Sequence, residues 1–247
     1  MSTSESTQSE ETKPETPKKE EEYKIELLPE DYPQYDLSFK LIFIGDSSVG
    51  KSCLTTKAVK NNFEEYYQAT VGFEFLTFNM KVNDKVIKLQ IWDTCGQEAY
   101  RSLITSFYRN ASLAILVYSI DNVNSFNNIE AWLNEIKSQA NPETKVFLIG
   151  NKIDLEDQRK ITIEMAQTFS NEHSFNFFVE TSAKTGFNAQ NVFVEAAKEL
   201  FLTHLEYKDR ASRIGSLAPD QYQPEINTNN IMLDDEEDKP KKKKKCC

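Results

Sequence analysis

The chain of 247 residues is poor in the groups that build disulfide frameworks, metal sites and membrane spans. Its four cysteines, Cys53, Cys95, Cys246 and Cys247, have neither metal-ligand spacing nor the pattern of a disulfide framework, which predicts a reducing compartment. The longest apolar run, LAILVY at 113–118, has the length of a buried strand and is far shorter than the roughly 18 residues of a transmembrane helix. The first thirty residues also lack the apolar stretch of a signal peptide.

Basic residues are outnumbered by acidic ones, 29 Lys and Arg against 39 Asp and Glu, so the formal net charge is −10. A chain with this balance offers no general nucleic-acid surface, so we expect no nucleic-acid partner. The two histidines, His173 and His204, lie in helical contexts without partners at metal-ligand spacing, so both are expected to be ordinary surface or core residues. Trp132 is expected to pack its helix against a sheet.

Composition divides the chain into three segments. Residues 1–36 carry eleven acidic residues against four lysines and almost no apolar residue before Tyr23, which predicts a disordered acidic arm. Residues 37–207 are dense in Ile, Leu, Val and Phe and have about the length of one sizeable core. Residues 208–247, which include the run DDEED and five consecutive lysines, are predicted to be a flexible tail.

Short apolar runs alternate with helical patterns in the predicted domain. A strand, a glycine-rich turn and a helix follow one another over 37–62, and the polar NDK between two alternating runs indicates a hairpin. Three further strands alternate with helical stretches near 124–139, 162–172 and 188–206. This order predicts an α/β fold with a six-stranded, mostly parallel sheet and one antiparallel edge strand. Ligands of such sheets lie beyond the carboxyl ends of the strands.

The first strand of the domain runs into GDSSVGKS, Gly45 to Ser52, which matches the phosphate-binding pattern G-x-x-x-x-G-K-S/T. Glycines let backbone N–H groups close around phosphate oxygens, and the helix N-terminus adds positive potential. Lys51 is expected to reach the β- and γ-phosphates, and the Ser52 hydroxyl to bind Mg²⁺. The alternative without a function is an ordinary tight turn, but a match to the phosphate-binding pattern at a strand-to-helix junction favours a phosphate site.

The sequence NKID, Asn151 to Asp154, indicates which base is bound. Guanine presents N1–H and an exocyclic amine side by side, and one carboxylate at Asp154 can accept from both, whereas adenine has no matching pair of donors. Asn151 is expected to tie this loop to the phosphate loop, and the stem of Lys152 to cover the base. TSAK, which ends the next strand, is expected to offer the Ala183 amide to the guanine oxygen. These positions predict a GTP/GDP site.

The remaining chemistry lies in WDTCGQE, at the end of the hairpin's second strand. Asp93 is expected to hold Mg²⁺ through water, and Gln97 to orient the attacking water as the catalytic residue. Gly96 has no side chain to keep its amide away from the γ-phosphate. Thr70 is expected to supply the metal with a second hydroxyl beside that of Ser52; taken alone it is more typical of a strand edge, but the rest of the site favours the metal role.

These elements, in this order, resemble Ras-type small GTPases over about residues 37–207, and stretches such as KLQIWDTCGQEAYRS are similar to those of the Rab family, which regulates membrane traffic. The resemblance implies the three-layer P-loop NTPase fold, stacking of Phe63 on the base, and switch regions near 62–73 and 94–109. It also implies an aromatic surface that faces effectors, formed by Phe75, Trp92 and Phe107.

Motifs and resemblance together assign sixteen residues to the nucleotide. They are Ser47, Ser48, Val49, Gly50, Lys51, Ser52, Cys53, Phe63, Thr70, Gly96, Asn151, Lys152, Asp154, Ser182, Ala183 and Lys184. Four residues depart from the family pattern, namely Cys95, Ala99, Phe107 and Ser119, where Ala, a basic residue, Tyr and Asp are usual. Cys95 is either a slightly larger small residue or an oxidisable thiol beside Gln97. The changes at Ala99 and Phe107 are expected to alter partner choice more than chemistry.

The motifs contain no residue that must act as an arginine finger, so we expect slow hydrolysis that an activating protein accelerates about 10³–10⁵-fold. Loss of the γ-phosphate removes the contacts that order Thr70 and Gly96, so both switches are expected to relax together. The resemblance further implies an exchange factor, a GTPase-activating protein, effectors on the switch regions, a GDP dissociation inhibitor and prenylation escort machinery. The protein is expected to be a monomer.

The chain ends in PKKKKKCC, and a bare CC end is similar to that of many Rabs. The resemblance implies geranylgeranylation of Cys246 and Cys247, whose two lipid chains would anchor the protein firmly while the lysines add a weaker attraction to anionic lipid. We therefore expect it at the cytoplasmic face of endomembranes, with a cytosolic pool.

Two alternative functions stay open. One is a Ras- or Ran-like role, for which PKKKKK would be a nuclear localisation signal, although the CC end fits neither a C-a-a-X terminus nor a lipid-free tail. The other is a scaffold that switches by nucleotide occupancy without useful hydrolysis, against which Gln97 argues.

Overall fold

The computed structural model describes residues 23–64, 70, 72–95, 107–214 and 225–226. The strands in this part are β1 (Ile25–Leu28), β2 (Leu37–Ile44), β3 (Phe73–Val82), β4 (Lys85–Thr94), β5 (Leu113–Ser119), β6 (Lys145–Asn151), β7 (Phe177–Glu180) and β8 (Glu225–Ile226). The helices in the same part are α1 (Lys51–Lys60), α2 (Val123–Asn127), α3 (Ile129–Gln139), α4 (Ile163–Glu172) and α5 (Ala189–Ile214), with a 3₁₀ helix at Ile153–Gln158.

The strands form one sheet in the order β1-β3-β4-β2-β5-β6-β7, and β8 pairs with the beginning of β2. β2 is parallel to both β4 and β5, and β6 and β7 continue in the same direction. β3 is antiparallel to β4, as expected of a hairpin. The carboxyl ends of five parallel strands therefore meet at one edge, which is where a ligand of an α/β sheet binds.

Helices cover both faces of the sheet. Alternate residues of each strand point to opposite faces, so each strand contributes side chains to two separate cores. Leu41 and Phe43 of β2 point to a core that α1 and α5 cover, whereas Ile42 and Ile44 point to a second core. Residues of α2, α3 and α4, among them Trp132, close the second core. The predicted three-layer α/β fold is confirmed, and Trp132 packs its helix against the sheet as expected.

The sheet has two strands more than the six that were predicted. β1 pairs antiparallel with β3, so β3 is not the edge strand, and the predicted boundary between arm and domain at residue 37 lies inside the folded part. Tyr23, just before β1, packs edge-on against Phe201 of α5, with 6.3 Å between the ring centroids. The IELL sequence of β1 has no clear strand pattern. We attribute its strand conformation to pairing with the otherwise unpaired main-chain N–H and C=O groups along one side of β3. A local sequence pattern cannot predict such a tertiary pairing.

The C-terminal part also differs from its prediction. Helix α5 continues to Ile214, past the predicted start of the tail at residue 208, and β8 then pairs with Leu37 and Ser38 of β2. No helix within the described ranges is both long and apolar enough to cross a membrane.

Candidate functional site

The loop between β2 and α1 wraps closely at the carboxyl edge of the sheet. At Gly45 (φ 141°) an added Cβ would lie 2.2 Å from the Val117 carbonyl oxygen of β5, so this position accepts only glycine without a backbone shift. At Gly50 (φ 94°) a Cβ would lie 2.4 Å from Asn151 Nδ2. Helix α1 begins directly afterwards at Lys51, so the free N–H groups of its first turn border the loop.

Lys51 is almost fully buried inside this loop. Its ammonium group donates to the main-chain oxygens of Gly45 and Asp46, each at 2.8 Å. Burial lowers the pKa of Lys51 to about 8, against the opposing effect of the Asp93 and Asp46 carboxylates. The loop thus holds a buried amine among carbonyl oxygens, where an anionic ligand would favour its charged form.

Three oxygen-bearing side chains meet next to Lys51. Ser52 Oγ lies 2.7 Å from Thr70 Oγ1 and donates a hydrogen bond to Asp93 Oδ2. Asp93 is fully buried, and no donor of the described residues reaches its Oδ1. Burial raises the pKa of Asp93 to about 6, although the Ser52 hydrogen bond and the charge of Lys51 act in the opposite direction. A buried carboxylate with an unmatched oxygen and two hydroxyls suits a hard cation such as Mg²⁺.

Asn151, fully buried at the end of β6, connects three loops. Its Nδ2 donates to the Val49 carbonyl oxygen at 2.9 Å, which ties it to the phosphate loop. Its Oδ1 accepts from Thr181 Oγ1 at 3.1 Å and from the Ala183 amide at 3.2 Å. The three motifs found in the sequence therefore form one hydrogen-bonded unit. The Ala183 amide, expected to face the guanine oxygen, donates to Asn151 in this structure.

Asp154 lies near the start of the 3₁₀ helix and is exposed. Lys152, just before that helix, has a left-handed backbone (φ 69°), which turns the chain out of β6. Asp154 Oδ1 accepts a hydrogen bond of 2.5 Å from Ser182 Oγ, while within the described residues no donor reaches Oδ2. The carboxylate is thus fixed through one oxygen and presents the other to a ligand.

The other predicted nucleotide residues that the structure describes surround these groups. Ser47 and Ser48 are exposed on the outside of the phosphate loop, whereas Val49 is buried beneath it. Cys53 and Phe63 are half-buried and pack against the first core, and burial raises the pKa of the Cys53 thiol. The structure therefore brings the loop, the first turn of α1 and the base motifs to one edge of the sheet, with the Lys184 side chain exposed beside them.

Several predicted functional residues lie outside the described residues. These are Gly96, Gln97, Cys246 and Cys247, together with Ala99 and parts of both predicted switch regions. Cys95, the last described residue before Gln97, is 2% exposed, and its amide donates to the Gly72 carbonyl oxygen at 3.0 Å. Its covered thiol favours the packing interpretation over the oxidisable one.

Arg159, which no motif singled out, connects the two base loops. Its guanidinium pairs with both carboxylate oxygens of Glu180 at 2.6 and 2.8 Å, and also with Glu156 of the 3₁₀ helix at 2.7 to 2.9 Å. Glu180 directly precedes Thr181, whose carbonyl oxygen accepts from the Ile153 amide at 3.2 Å. A bidentate pair of this geometry is strong and directional, so Arg159 holds the Asp154 segment against the strand that carries Ser182.

An aromatic cluster lies on the second face of the sheet, beside the predicted switch regions. Trp92 lies at ring-centroid distances of 5.1 to 5.3 Å from Phe73, Phe75 and Phe107. Phe73 and Phe75 are 44% and 46% exposed, so much of the cluster faces outward. It contains the three aromatic residues predicted to face effectors.

This geometry combines a glycine-bordered loop with a buried lysine, a hydroxyl and carboxylate cluster, and a base loop joined to both by Asn151. A three-layer α/β sheet that carries such a site at its carboxyl edge defines the class of P-loop nucleotide-binding proteins to which the small GTPases belong.

Comparison with known proteins agrees with this class. The family model described as "Ras family" matches residues 40–202. The chain is 44% identical to Ras-related protein RHN1 of Nicotiana plumbaginifolia over 165 residues, which cover 67% of this chain and 82% of that protein. It is 43% identical to Ras-related protein RABF2b of Arabidopsis thaliana over 164 residues, 66% of this chain and 82% of that protein.

The chain belongs to the Ras family and is a Rab-like small GTPase. Proteins of this kind bind GTP and GDP and hydrolyse GTP, and they act through regulators and effectors. The predicted Rab resemblance and GTPase activity are thereby confirmed.

Proposed function

We propose that this GTPase is a GTP/GDP switch of vesicle-mediated membrane traffic that recruits effectors in its GTP state. The observation that carries the proposal is the position of Ser52, which contacts both Thr70 and Asp93 and directly follows the buried Lys51. A γ-phosphate and a metal ion at this point would hold Thr70 in place, and Thr70 lies in the predicted first switch. Nucleotide state is then coupled to the surface that partners see.

The phosphate half of the site consists of Lys51 and the main-chain amides of residues 47–53. Ser52 and Thr70 would offer hydroxyls to Mg²⁺, and Asp93 would hold it through water. When bound, Mg²⁺ neutralises charge on the phosphate oxygens. The unmatched Oδ1 of Asp93 supports this assignment, because a buried carboxylate oxygen without a donor is costly unless a ligand completes it. Within the described chain no three His, Cys, Asp or Glu side chains cluster as a metal site. Mg²⁺ usually keeps several waters and is bound through one or two carboxylates together with substrate phosphates.

The base half of the site selects guanine through Asp154. Ser182 holds Oδ1 of this carboxylate, so a guanine base can donate to it from N1–H and the exocyclic amine. The stem of Lys152 and the ring of Phe63 cover the faces of the base. The backbone around Ala183 and Lys184 contacts the guanine oxygen. Adenine would leave the carboxylate without donors, which disfavours it strongly.

Hydrolysis depends on Gln97, which orients the attacking water, and on Gly96, whose amide contacts the γ-phosphate. None of the predicted motifs contains an arginine that has to act on the γ-phosphate. An activating protein therefore supplies the positive charge there and accelerates hydrolysis about 10³–10⁵-fold. An exchange factor then reloads the site. The aromatic cluster around Trp92 belongs to the surface that effectors contact.

The C-terminal cysteines connect the switch to a membrane. Geranylgeranyl chains on Cys246 and Cys247 anchor it at the cytoplasmic face of endomembranes, and the neighbouring lysines favour an anionic leaflet. Escort machinery presents the tail for prenylation, and a GDP dissociation inhibitor maintains a cytosolic pool. The similarity to RABF2b and RHN1 supports an endomembrane site of action.

Two variants test the switch. In single-turnover assays with an activating cell extract, Gln97→Leu is expected to keep bound GTP and to lose at least tenfold in rate, because the attacking water is no longer oriented.

Asp154→Asn is expected to shift preference from guanine to xanthine nucleotides, with Asp157→Asn on the same 3₁₀ helix as a matched control. Wild-type turnover in Gln97→Leu, or unchanged GTP affinity in Asp154→Asn, would contradict the proposed roles.

A further inference from the structure

Asp46 is an acidic residue inside a loop that binds phosphate. Its carboxylate accepts hydrogen bonds from two side chains that lie outside the loop. Asn128 Nδ2 donates to Oδ2 at 2.8 Å, and Trp132 Nε1 donates to Oδ1 at 2.9 Å. Both carboxylate oxygens are therefore held by neutral donors that lie more than 80 residues away in the chain, at sequence separations of 82 and 86.

The two donors occupy adjacent turns of one helical face. Asn128 stands at the junction of α2 and α3 with a helical backbone, and Trp132 lies four residues later. The side chain of Asn128 makes no capping hydrogen bond to α3, although Asn is a preferred capping residue. Trp132 is 2% exposed, and its indole N–H points from the core to the loop. Helix capping thus does not account for the Asn128 side chain.

The main chain of Asp46 faces the phosphate site. Its carbonyl oxygen accepts the hydrogen bond from Lys51 Nζ at 2.8 Å, next to the equivalent bond to Gly45. Asp46 therefore connects the N-terminal end of α3 to Lys51, the residue that we propose binds phosphate. The side chain of Asp46 is thus anchored to α3 while its main-chain oxygen holds Lys51.

We propose that Asn128 and Trp132 are positioning residues for the phosphate loop and that they act through the carboxylate of Asp46. The inference rests on the proposed nucleotide site and adds two residues to it. The two donors keep a negative charge turned away from the phosphates and fix the loop in the form that receives them. Without them the carboxylate is free to rotate toward the ligand, where it repels the phosphates while the base loop is unaffected.

The test compares a ligand with phosphates and one without them. GDP and guanosine share the base contacts, so the ratio of their dissociation constants isolates the phosphate half of the site. For the full chain with Mg²⁺, Asn128→Ala and Trp132→Phe are each expected to weaken GDP binding about tenfold, since each loses one hydrogen bond to a charged group. Guanosine binding is expected to stay within about twofold of the wild type.

Two control variants separate positioning from general damage. Asn134→Ala removes an exposed asparagine from the same helix, and Leu133→Ala removes a buried side chain next to Trp132. Both controls are expected to leave the ratio of GDP to guanosine affinity unchanged, even where Leu133→Ala lowers the melting temperature. In an Asp46→Ala background, Asn128→Ala is expected to have no further effect, because its acceptor is already absent.

The possible outcomes separate this inference from the proposed function. If wild-type protein binds GDP no better than guanosine, the proposed nucleotide site itself is wrong. If wild-type protein prefers GDP strongly but Asn128→Ala and Trp132→Phe retain that preference, the site stands and the positioning role is overturned. An equal loss of GDP and guanosine affinity in both variants would also overturn it, because a purely structural role predicts that result.

Discussion

His204 is a buried side chain that the nucleotide site does not use. It is 3% exposed on α5, and neither ring nitrogen has a hydrogen-bond partner within the described residues. Burial, with a smaller contribution from Lys208, lowers the pKa of His204. Protonation therefore costs more in the folded protein than in the unfolded chain, where the histidine pKa is about 6.5.

This difference makes stability depend on pH. Because the unfolded chain binds the proton first, the free energy of unfolding is expected to fall as the pH drops below about 6.5, with a slope of at most about 1.4 kcal/mol per pH unit from this residue. Denaturant titrations between pH 7.5 and 5.5, at saturating GDP and Mg²⁺, measure it. His204→Phe is expected to flatten the profile. A full pH dependence in His204→Phe would contradict this account.

Individual residues differ in how far the sequence predicts their contacts. Lys51 and Ser52 belong to a contiguous motif whose spacing reflects the geometry of a phosphate loop, so their positions at the loop were predictable. The hydrogen bond between Asp46 and Trp132 was not predictable, because the two residues are 86 positions apart and no short motif contains both. Trp132 was expected only to pack in the core, and its apolar ring does so. Its indole N–H contacts the loop only once β2 and α3 are packed together.

At the level of elements, Arg159 joins the 3₁₀ helix after β6 to the end of β7. Removing it alone would leave the partly buried Glu180 carboxylate without its partner, which is costly in itself. The double variant Arg159→Gln/Glu180→Gln avoids that cost. We expect it to let Asp154 move relative to Ser182 and to weaken the contact with the exocyclic amine of guanine.

Inosine diphosphate lacks that amine, so the affinity ratio of GDP to inosine diphosphate measures this contact. The double variant is expected to lower the ratio by roughly three- to tenfold, because it loosens a hydrogen bond to a charged group. Lys198→Gln, which breaks the Lys198–Glu195 pair on α5, is a control that should keep the wild-type ratio. Equal losses for both nucleotides would show that Arg159 supports the fold and not the selection of guanine.

Elements with a strong internal pattern were predicted well, and those formed by tertiary contact were not. β5 was predicted from the apolar run LAILVY at 113–118, and all seven residues of the strand are buried. β1 was missed because its four residues become a strand only through Val82, Met80 and their neighbours in β3. The end of α5 was also missed, because charged residues replace the apolar pattern after Leu205 while the helix continues.

At the level of the whole molecule, the phosphate loop and the last described residue, Ile226, lie at opposite ends of β2. β2 runs from Leu37 to the phosphate loop, and Ile226, the last described residue, pairs with Leu37. Ile226 thus lies at the end of β2 away from the phosphate loop, and the proposed lipid anchor on Cys246 and Cys247 follows it in the sequence.

Loss of both C-terminal cysteines is therefore expected to release the protein from membranes without changing nucleotide binding. In cell fractionation, Cys246→Ser/Cys247→Ser should be found in the cytosol. Each single variant should bind weakly, because one lipid chain gives only marginal affinity. Replacing the five lysines with Gln should cause a smaller loss, since each contributes about 1 kcal/mol at an anionic leaflet. Full membrane association of the double variant would contradict the lipid anchor.

The pairing of β1 with β3 also bears on self-association. An uncovered ten-residue strand at the margin of a sheet is a template on which another copy, or an unfolded chain, can add a strand and begin to aggregate. In this molecule Ile25–Leu28 already occupy part of that margin, and the strand at the other margin, β7, has only four residues. The N-terminal segment thus shortens the open main-chain edge on which another copy of the chain could add a strand.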